Sequence, residues 1–187
     1  CRLLELLSLK HNKLISTPKG FATMFRLKTL DLSYNLFETI DEKAIESLVS
    51  LTSLDLSHNK LVNFPQRLGR LNKLQSLNYS HNQLTLLPQN CFKGCGELFT
   101  VRIDHNLLTT KGVEAGRLDS VQSLEVLALD FNEMDQLPEE LADLPQLRSL
   151  TFSHNPCCSR PEDALEPFYL LRDRAQSIHV GAAEFDE

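Results

Sequence analysis

The sequence predicts an α/β solenoid: a curved horseshoe with a parallel sheet on its concave face and short helical or 3-10 turns on its convex face. Residues 51–61 show the unit, L-x-x-L-x-L-x-x-N-x-L. This frame occurs seven times, and its asparagines lie 23 to 26 residues apart. A short apolar alternation repeated at that interval predicts one strand per coil. The seven asparagines are Asn12, Asn35, Asn59, Asn82, Asn106, Asn132 and Asn155.

These copies resemble the leucine-rich repeat family from residue 4 to about residue 157, with repeats of the intracellular type. The resemblance implies a leucine-rich repeat solenoid that recognises other proteins. We divide the chain into seven repeats over residues 1–157 and a partly helical C-terminal cap over 158–187. The first repeat begins within three residues of Cys1 without a polar cap, so the natural chain is expected to extend upstream.

Each half of a repeat has its own expected structure. Alternation such as Leu54-Asp55-Leu56 directs leucines into the core and the intervening residues onto the concave face. Those outward positions lie two, four and six residues before each asparagine. All seven asparagines are expected to be buried and to hydrogen-bond to backbone groups where the strand turns, because such groups cannot stay unpaired inside.

The return halves predict short turns and helices. Proline-containing segments at residues 64–68, 87–92 and 137–141 favour irregular or 3-10 turns. Helix formers behind Asp41 predict a capped helix over 41–48. The longest repeat predicts a helix from about 112 to 122. In the cap, Ser159 and Pro167 are expected to begin helical turns.

Composition excludes several classes of partner. The chain has 19 Lys and Arg against 25 Asp and Glu, a net charge of -6, which opposes binding to a nucleic-acid backbone. No segment is apolar for long enough to predict membrane insertion or a signal peptide.

Five cysteines form an odd set without the spacing of a disulfide framework. Cys95 and Cys157 replace repeat leucines, and Cys91 with Cys95 has no second pair for a tetrahedral metal site. We therefore predict reduced thiols and a cytoplasmic protein. The alternative is an extracellular one, which the sequon at residues 78–80 would suit.

Histidines share one position of the repeat, immediately before the asparagine, as at His58, His81 and His105. Imidazoles at identical positions project side by side and do not converge on a tetrahedron, so no metal site is predicted. Tyr34 and Phe131 fill the same position, which indicates a preference for a flat ring. No catalytic residues or cofactors are predicted, and the segment is not expected to be an enzyme.

The function predicted is a protein-protein interaction module, a scaffold or regulatory segment in signalling, which binds a partner protein on its concave face. Two alternatives remain: a fragment of an extracellular receptor or adhesion ectodomain, and the substrate-recognition segment of a larger enzyme. Arg102 is the expected central anchor, since it is a cation in the middle of a mildly acidic face. The predicted contact residues are Tyr34, Asp55, Asn78, Arg102, Asp104, Asp130 and Phe131.

Overall fold

A computed structural model describes residues 3–159 and 177–179 of the chain. These residues contain a single parallel sheet in which each strand pairs with the next one along the sequence. Each coil contributes one strand, which confirms the predicted solenoid with its sheet on the concave face. The strands are β1 Leu6–Ser8, β2 Thr29–Asp31, β3 Ser53–Asp55, β4 Ser76–Asn78, β5 Thr100–Arg102, β6 Val126–Ala128, β7 Ser149–Thr151 and β8 Ser177–His179.

The strand β8 adds to the seven that the repeats predict. It pairs in parallel with β7, with Leu150 opposite Ile178, inside the range predicted as the cap. The sequence around Ile178 lacks the leucine frame, so periodicity does not reveal this strand. The predicted helical turns of the cap, which begin after Ser159, lie outside the described residues.

Short helical turns connect the strands on the convex side. Helix α1, Glu42–Glu46, begins where predicted, because the Asp41 carboxylate accepts hydrogen bonds from the backbone N–H groups of Lys43 and Ala44. None of the helices in the described ranges is long and apolar enough to cross a membrane. The 3-10 turns are Phe21–Thr23, Leu68–Arg70, Leu118–Ser120, Glu139–Asp143 and Pro156–Ser159.

Helix α2 of the longest repeat is shorter than predicted. It spans Thr110–Glu114, and the Thr109 hydroxyl caps it by accepting from the Gly112 N–H. Arg117, with φ 54°, has a left-handed backbone, which ends the helical path before the 3-10 turn at Leu118–Ser120. The predicted helix over 112–122 is therefore wrong in both bounds.

The core lies between the sheet and these turns. The central leucines of the strands, such as Leu30, Leu54 and Leu77, are buried, as are the convex residues Ile45 and Leu68. Burial of these inward strand residues fixes the register of the sheet, because a slip by one residue would expose them. The outward residues are thereby held at fixed positions on the concave face.

Candidate functional site

The asparagine ladder ties each coil to the one before it. The Asn82 Nδ2 group donates to the carbonyl oxygens of Leu56, Tyr79 and Ser80 at 3.0–3.2 Å. Its Oδ1 accepts from the Leu61 N–H at 2.9 Å. One side chain thus satisfies backbone groups of two repeats. Contacts of this kind to the preceding coil recur at Asn35, Asn59, Asn106, Asn132 and Asn155.

Two members of the ladder depart from the predicted burial. Asn12 is exposed, and its described hydrogen bonds go only to the carbonyl oxygens of Leu9 and Lys10 in its own repeat. No preceding coil of the described chain covers it. Asn59 is half-buried although it makes the full set of bonds. The prediction holds for the five others, which are all buried.

The residue before each ladder asparagine carries a ring, and these rings form one continuous stack, here called the ring ladder. Neighbouring ring centroids lie 3.9–4.3 Å apart, with 9–30° between the planes. This arrangement confirms the predicted preference for a flat ring. The ring ladder consists of His11, Tyr34, His58, His81, His105, Phe131 and His154.

The ring ladder exists at the cost of an unusual backbone. All seven residues have φ between 51° and 55°, the left-handed region. That conformation costs a non-glycine residue roughly 1 to 3 kcal/mol. A stacked pair of rings returns about 0.5 to 1.5 kcal/mol, and each inner ring has two neighbours. Stacking therefore offsets much of the strain.

The predicted contact residues fall into three groups on the concave side. The last residues of β3, β4 and β5 are Asp55, Asn78 and Arg102. Asp55 lies opposite Asn78, and Asn78 lies opposite Arg102, in the pairing of these strands. The strand spacing of about 4.8 Å makes them a contiguous row. Tyr34 and Phe131 belong to the ring ladder, where they are 40% and 42% exposed. The structure thus brings the first three together and places the two aromatic residues on the adjoining ring ladder.

Asp104 and Asp130 lie two residues before their ladder asparagines, where most repeats have serine. The Asp130 carboxylate accepts from the Ser153 N–H and hydroxyl, both at 2.6 Å, and from the Thr151 hydroxyl. Asp104 Oδ2 lies 2.9 Å from His105 Nδ1. Both carboxylates therefore link the concave face to the turn that carries the ring ladder.

Serines predicted to face outward are buried instead. The Ser57 hydroxyl donates to Asp55 Oδ1 at 2.6 Å, and the Ser57 N–H donates to the same oxygen at 2.9 Å. Ser33 makes the equivalent bonds to Asp31. In β2, β3 and β4 the polar residue at the end of the strand folds over the turn and covers the serine behind it. The buried serines are Ser33, Ser57 and Ser80.

Several charges on the concave face lack an ionic partner. Within residues 3–158, no ion pair joins Arg102 to a carboxylate or joins Asp55 or Asp130 to a lysine or arginine. Arg102 is exposed, whereas Asp55 is half-buried and also accepts from Asn78 Nδ2 at 3.2 Å. A partner could therefore pair with these charges without first breaking a salt bridge.

The central histidines differ from ordinary surface imidazoles. Burial lowers the pKa of His58 below its usual 6.5, although the Asp55 carboxylate acts in the opposite direction. Burial also lowers the pKa of His81, and the neighbouring His105 and His58 add to that effect. Burial therefore favours the neutral form of these two imidazoles.

Acidification should destabilise the fold through these rings. The pKa values of His58 and His81 are lower in the folded chain than in the unfolded chain, so the unfolded chain takes up protons first as the pH falls. The stability present above pH 6.5 is therefore lost as the pH falls from 6.5 through the folded-state pKa values. Urea denaturation at pH 7.5 and pH 5.5 measures this loss. His81→Phe keeps a ring in the stack and removes one titrating group, so its loss should be smaller. An equal loss in both proteins would contradict this assignment.

Three of the four described cysteines lie in the core. Cys91, Cys95 and Cys157 are buried, and none of the four cysteines in the described ranges forms a disulfide. Burial raises the pKa of Cys95 and of Cys157 to about 12 in each case, so both are protonated thiols at neutral pH. They replace leucines, as predicted, and supply no nucleophile.

Comparison with known proteins agrees with the fold. A family model described as Leucine rich repeat matches residues 2–61, and a second, described as Leucine Rich Repeat, matches residues 73–95. A search of curated protein sequences finds no significant match.

Solved structures extend this likeness over most of the chain. A chain from the octameric complex of latrophilin 3, Unc5D and FLRT2, whose FLRT2 component is a leucine-rich repeat protein, aligns at a TM-score of 0.71 and 24% identity over 82% of this chain. A leucine-rich repeat protein of Leptospira interrogans aligns at a TM-score of 0.71 and 25% identity over 94% of it. The present chain spans only about half of each, 55% and 48% respectively. The repeated frame, the asparagine ladder, the parallel sheet and both family matches show that this chain carries leucine-rich repeats.

Proposed function

We propose that this chain is a protein-protein interaction module that binds a partner protein on its concave face. The observation that carries the proposal is the contiguous row Asp55, Asn78 and Arg102, bordered by the exposed ring edges of Tyr34 and Phe131. Among the described side chains, Asp55 and Arg102 have no ionic partner, and exposed aromatic rings flank them. Binding energy in protein interfaces concentrates in such a mixture of arginine and aromatic residues.

The surroundings of this row favour close approach by a partner. Ser53, Ser76 and Thr100, two residues before the members of the row, are small and only half-buried. They lie opposite one another in neighbouring strands. Six steps between seven strands span about 29 Å at the usual strand spacing, enough for an interface of standard size.

The solved structures support the same class of function. FLRT2 is part of an assembly with latrophilin 3 and Unc5D, so a leucine-rich repeat solenoid of this kind occurs in a protein complex. The identity of the partner of the present chain depends on the residues of its own concave face. The proposed contacts are Tyr34, Asp55, Asn78, Arg102, Asp104, Asp130 and Phe131.

Removing the central cation and one exposed ring should weaken partner capture. Arg102→Ala with Phe131→Asn removes both groups, and asparagine tolerates the left-handed backbone at 131. Capture by the immobilised chain should fall at least tenfold, about 1.4 kcal/mol. The measurement is quantitative mass spectrometry of proteins retained from a lysate, and circular dichroism checks that the variant is folded.

The matched control changes the same residue types outside the sheet. Arg67 and Phe25 are exposed in the turns before a 3-10 segment and before β2, so Arg67→Ala with Phe25→Asn should leave capture unchanged. Capture that survives the concave pair but is lost when residues 109–120 are replaced would refute binding on the concave face. It would assign recognition to the irregular fifth repeat.

The proposed compartment is the cytoplasm, with a scaffold or regulatory role in signalling. Free, buried cysteines support this, because extracellular domains commonly oxidise such residues. Thiol titration of freshly extracted, denatured protein without reductant should find nearly all five cysteines reactive. Two or more protected thiols would favour the extracellular alternative.

A further inference from the structure

The geometry points to a binding site for a divalent transition-metal ion, with zinc as its representative, at His81, Asp104 and His105. One donor atom from each of these side chains lies within 4.8 Å of the other two. All three side chains are half-buried, so they are accessible from solvent. The site lies at the centre of the ring ladder, next to the row that contains Arg102.

The backbone holds these donors in place before any ion arrives. The His81 N–H donates to the Asp104 carbonyl at 3.0 Å, and the Asn82 N–H donates to the His105 carbonyl at 3.1 Å. Both histidines have the same left-handed φ, 53° and 52°. Two adjacent coils are thereby fixed with their rings 3.9 Å apart, and little backbone order has to be gained on binding.

Asp104 is the group that the repeated histidines alone do not reveal. Its Oδ2 lies 2.9 Å from His105 Nδ1, a contact that orients the imidazole and leaves the other ring nitrogen facing away. A carboxylate in contact with a ligating histidine raises the basicity of that ligand and fixes its tautomer. Asp104 can either orient His105 or bind the ion directly. In both roles its negative charge stabilises a bound cation.

Binding requires the two rings to turn. Their planes differ by only 22°, so their lone pairs now project side by side. Zinc bonds of about 2.0 to 2.2 Å demand that the donors close around the ion. Rotation about the side-chain bonds would bring the donors together, at the expense of some stacking with His58 and Phe131.

The charges around the site have mixed effects. Asp55 and Asp104 attract a cation, whereas Arg102 on the same concave face opposes it. A neutral imidazole offers a lone pair to the ion. Two imidazoles with one carboxylate suit zinc, copper or nickel better than magnesium or calcium, which prefer oxygen ligands.

Calorimetric titration of the purified chain with zinc chloride at pH 7.5 tests the site. His81→Phe and His105→Phe each remove a donor, and Phe131 shows that the same position accepts phenylalanine in the ring ladder. Each should weaken zinc binding at least tenfold, and Asp104→Asn should weaken it by roughly 10- to 100-fold. His154→Phe, which removes a ring-ladder histidine outside the cluster, should bind zinc as the unchanged chain does.

Either of two calorimetric results would overturn the proposal. All four variants could bind zinc as tightly as the unchanged chain, or His154→Phe could lose as much zinc affinity as His81→Phe and His105→Phe. Zinc held by cysteine thiols would give the first result. NMR of the histidine ring protons provides a second measurement on the unchanged chain, independent of variant folding. The His81 and His105 signals should shift with zinc and the His154 signal should not, and the opposite selectivity would also refute the site. No partner protein takes part, so the outcome is separate from that of concave-face recognition.

Discussion

Alanine at Gly69 should lower the free energy of unfolding by about 3 kcal/mol or more, at the upper end of the cost of overpacking. A Cβ atom at Gly69 would lie 1.8 Å from the Lys93 carbonyl oxygen and 2.7 Å from the carbonyl carbon. Both obstacles are backbone atoms, which cannot rotate out of the way as a side chain could. Two neighbouring coils would therefore have to separate on the convex side.

Gly96 supplies the matched control, because a Cβ atom there meets nothing within 4 Å. Gly96→Ala should leave stability unchanged or raise it by up to about 1 kcal/mol, since alanine restricts the unfolded chain. Urea denaturation followed by circular dichroism compares the two variants with the original chain. Similar midpoints for Gly69→Ala and Gly96→Ala would show that the coils are not packed as closely as described.

The repeat frame predicts the parts of this fold that depend on burial. Leucines such as Leu54 and Leu56 alternate with polar residues, and that period predicts that these leucines face the core. The repeat frame does not predict strand β8, because Ile178 pairs with β7 outside the leucine frame. The frame does not predict the role of Gly69 either. The sequence around a glycine does not show whether that glycine faces solvent or packs against the next coil.

The candidate site was predictable only in part. The shared position of His81 and Phe131 indicates a preference for rings, but the continuous stack depends on a left-handed backbone repeated in every coil. Alternation predicts that Ser57 faces outward. It does not predict that the Asp55 carboxylate folds back and covers Ser57. Asp104 gains its contact with His105 from side-chain orientation, which spacing does not specify.

Alanine at Asn82 should cost about 1 to 3 kcal/mol of unfolding free energy, the usual penalty for stranding buried polar groups. The substitution leaves the Leu61 N–H and the carbonyl oxygens of Leu56 and Tyr79 without this buried partner. These groups belong to two repeats, so the loss should weaken their mutual packing as well as the turn itself. Denaturant midpoints measured by circular dichroism report the effect.

Two further variants separate the ladder bonds from a general effect of losing asparagine. Asn12→Ala removes an exposed side chain bonded only within its own repeat, so it should change stability by no more than about 0.5 kcal/mol. Asn82→Asp keeps an oxygen for the Leu61 N–H but turns a second oxygen toward three carbonyl oxygens. It should therefore destabilise the fold at pH 7 at least as much as Asn82→Ala, and less at a pH where the new carboxyl is protonated and can donate. Equal midpoints for Asn12→Ala and Asn82→Ala would mean that the contacts between repeats contribute nothing and that the leucine core alone holds the coils together.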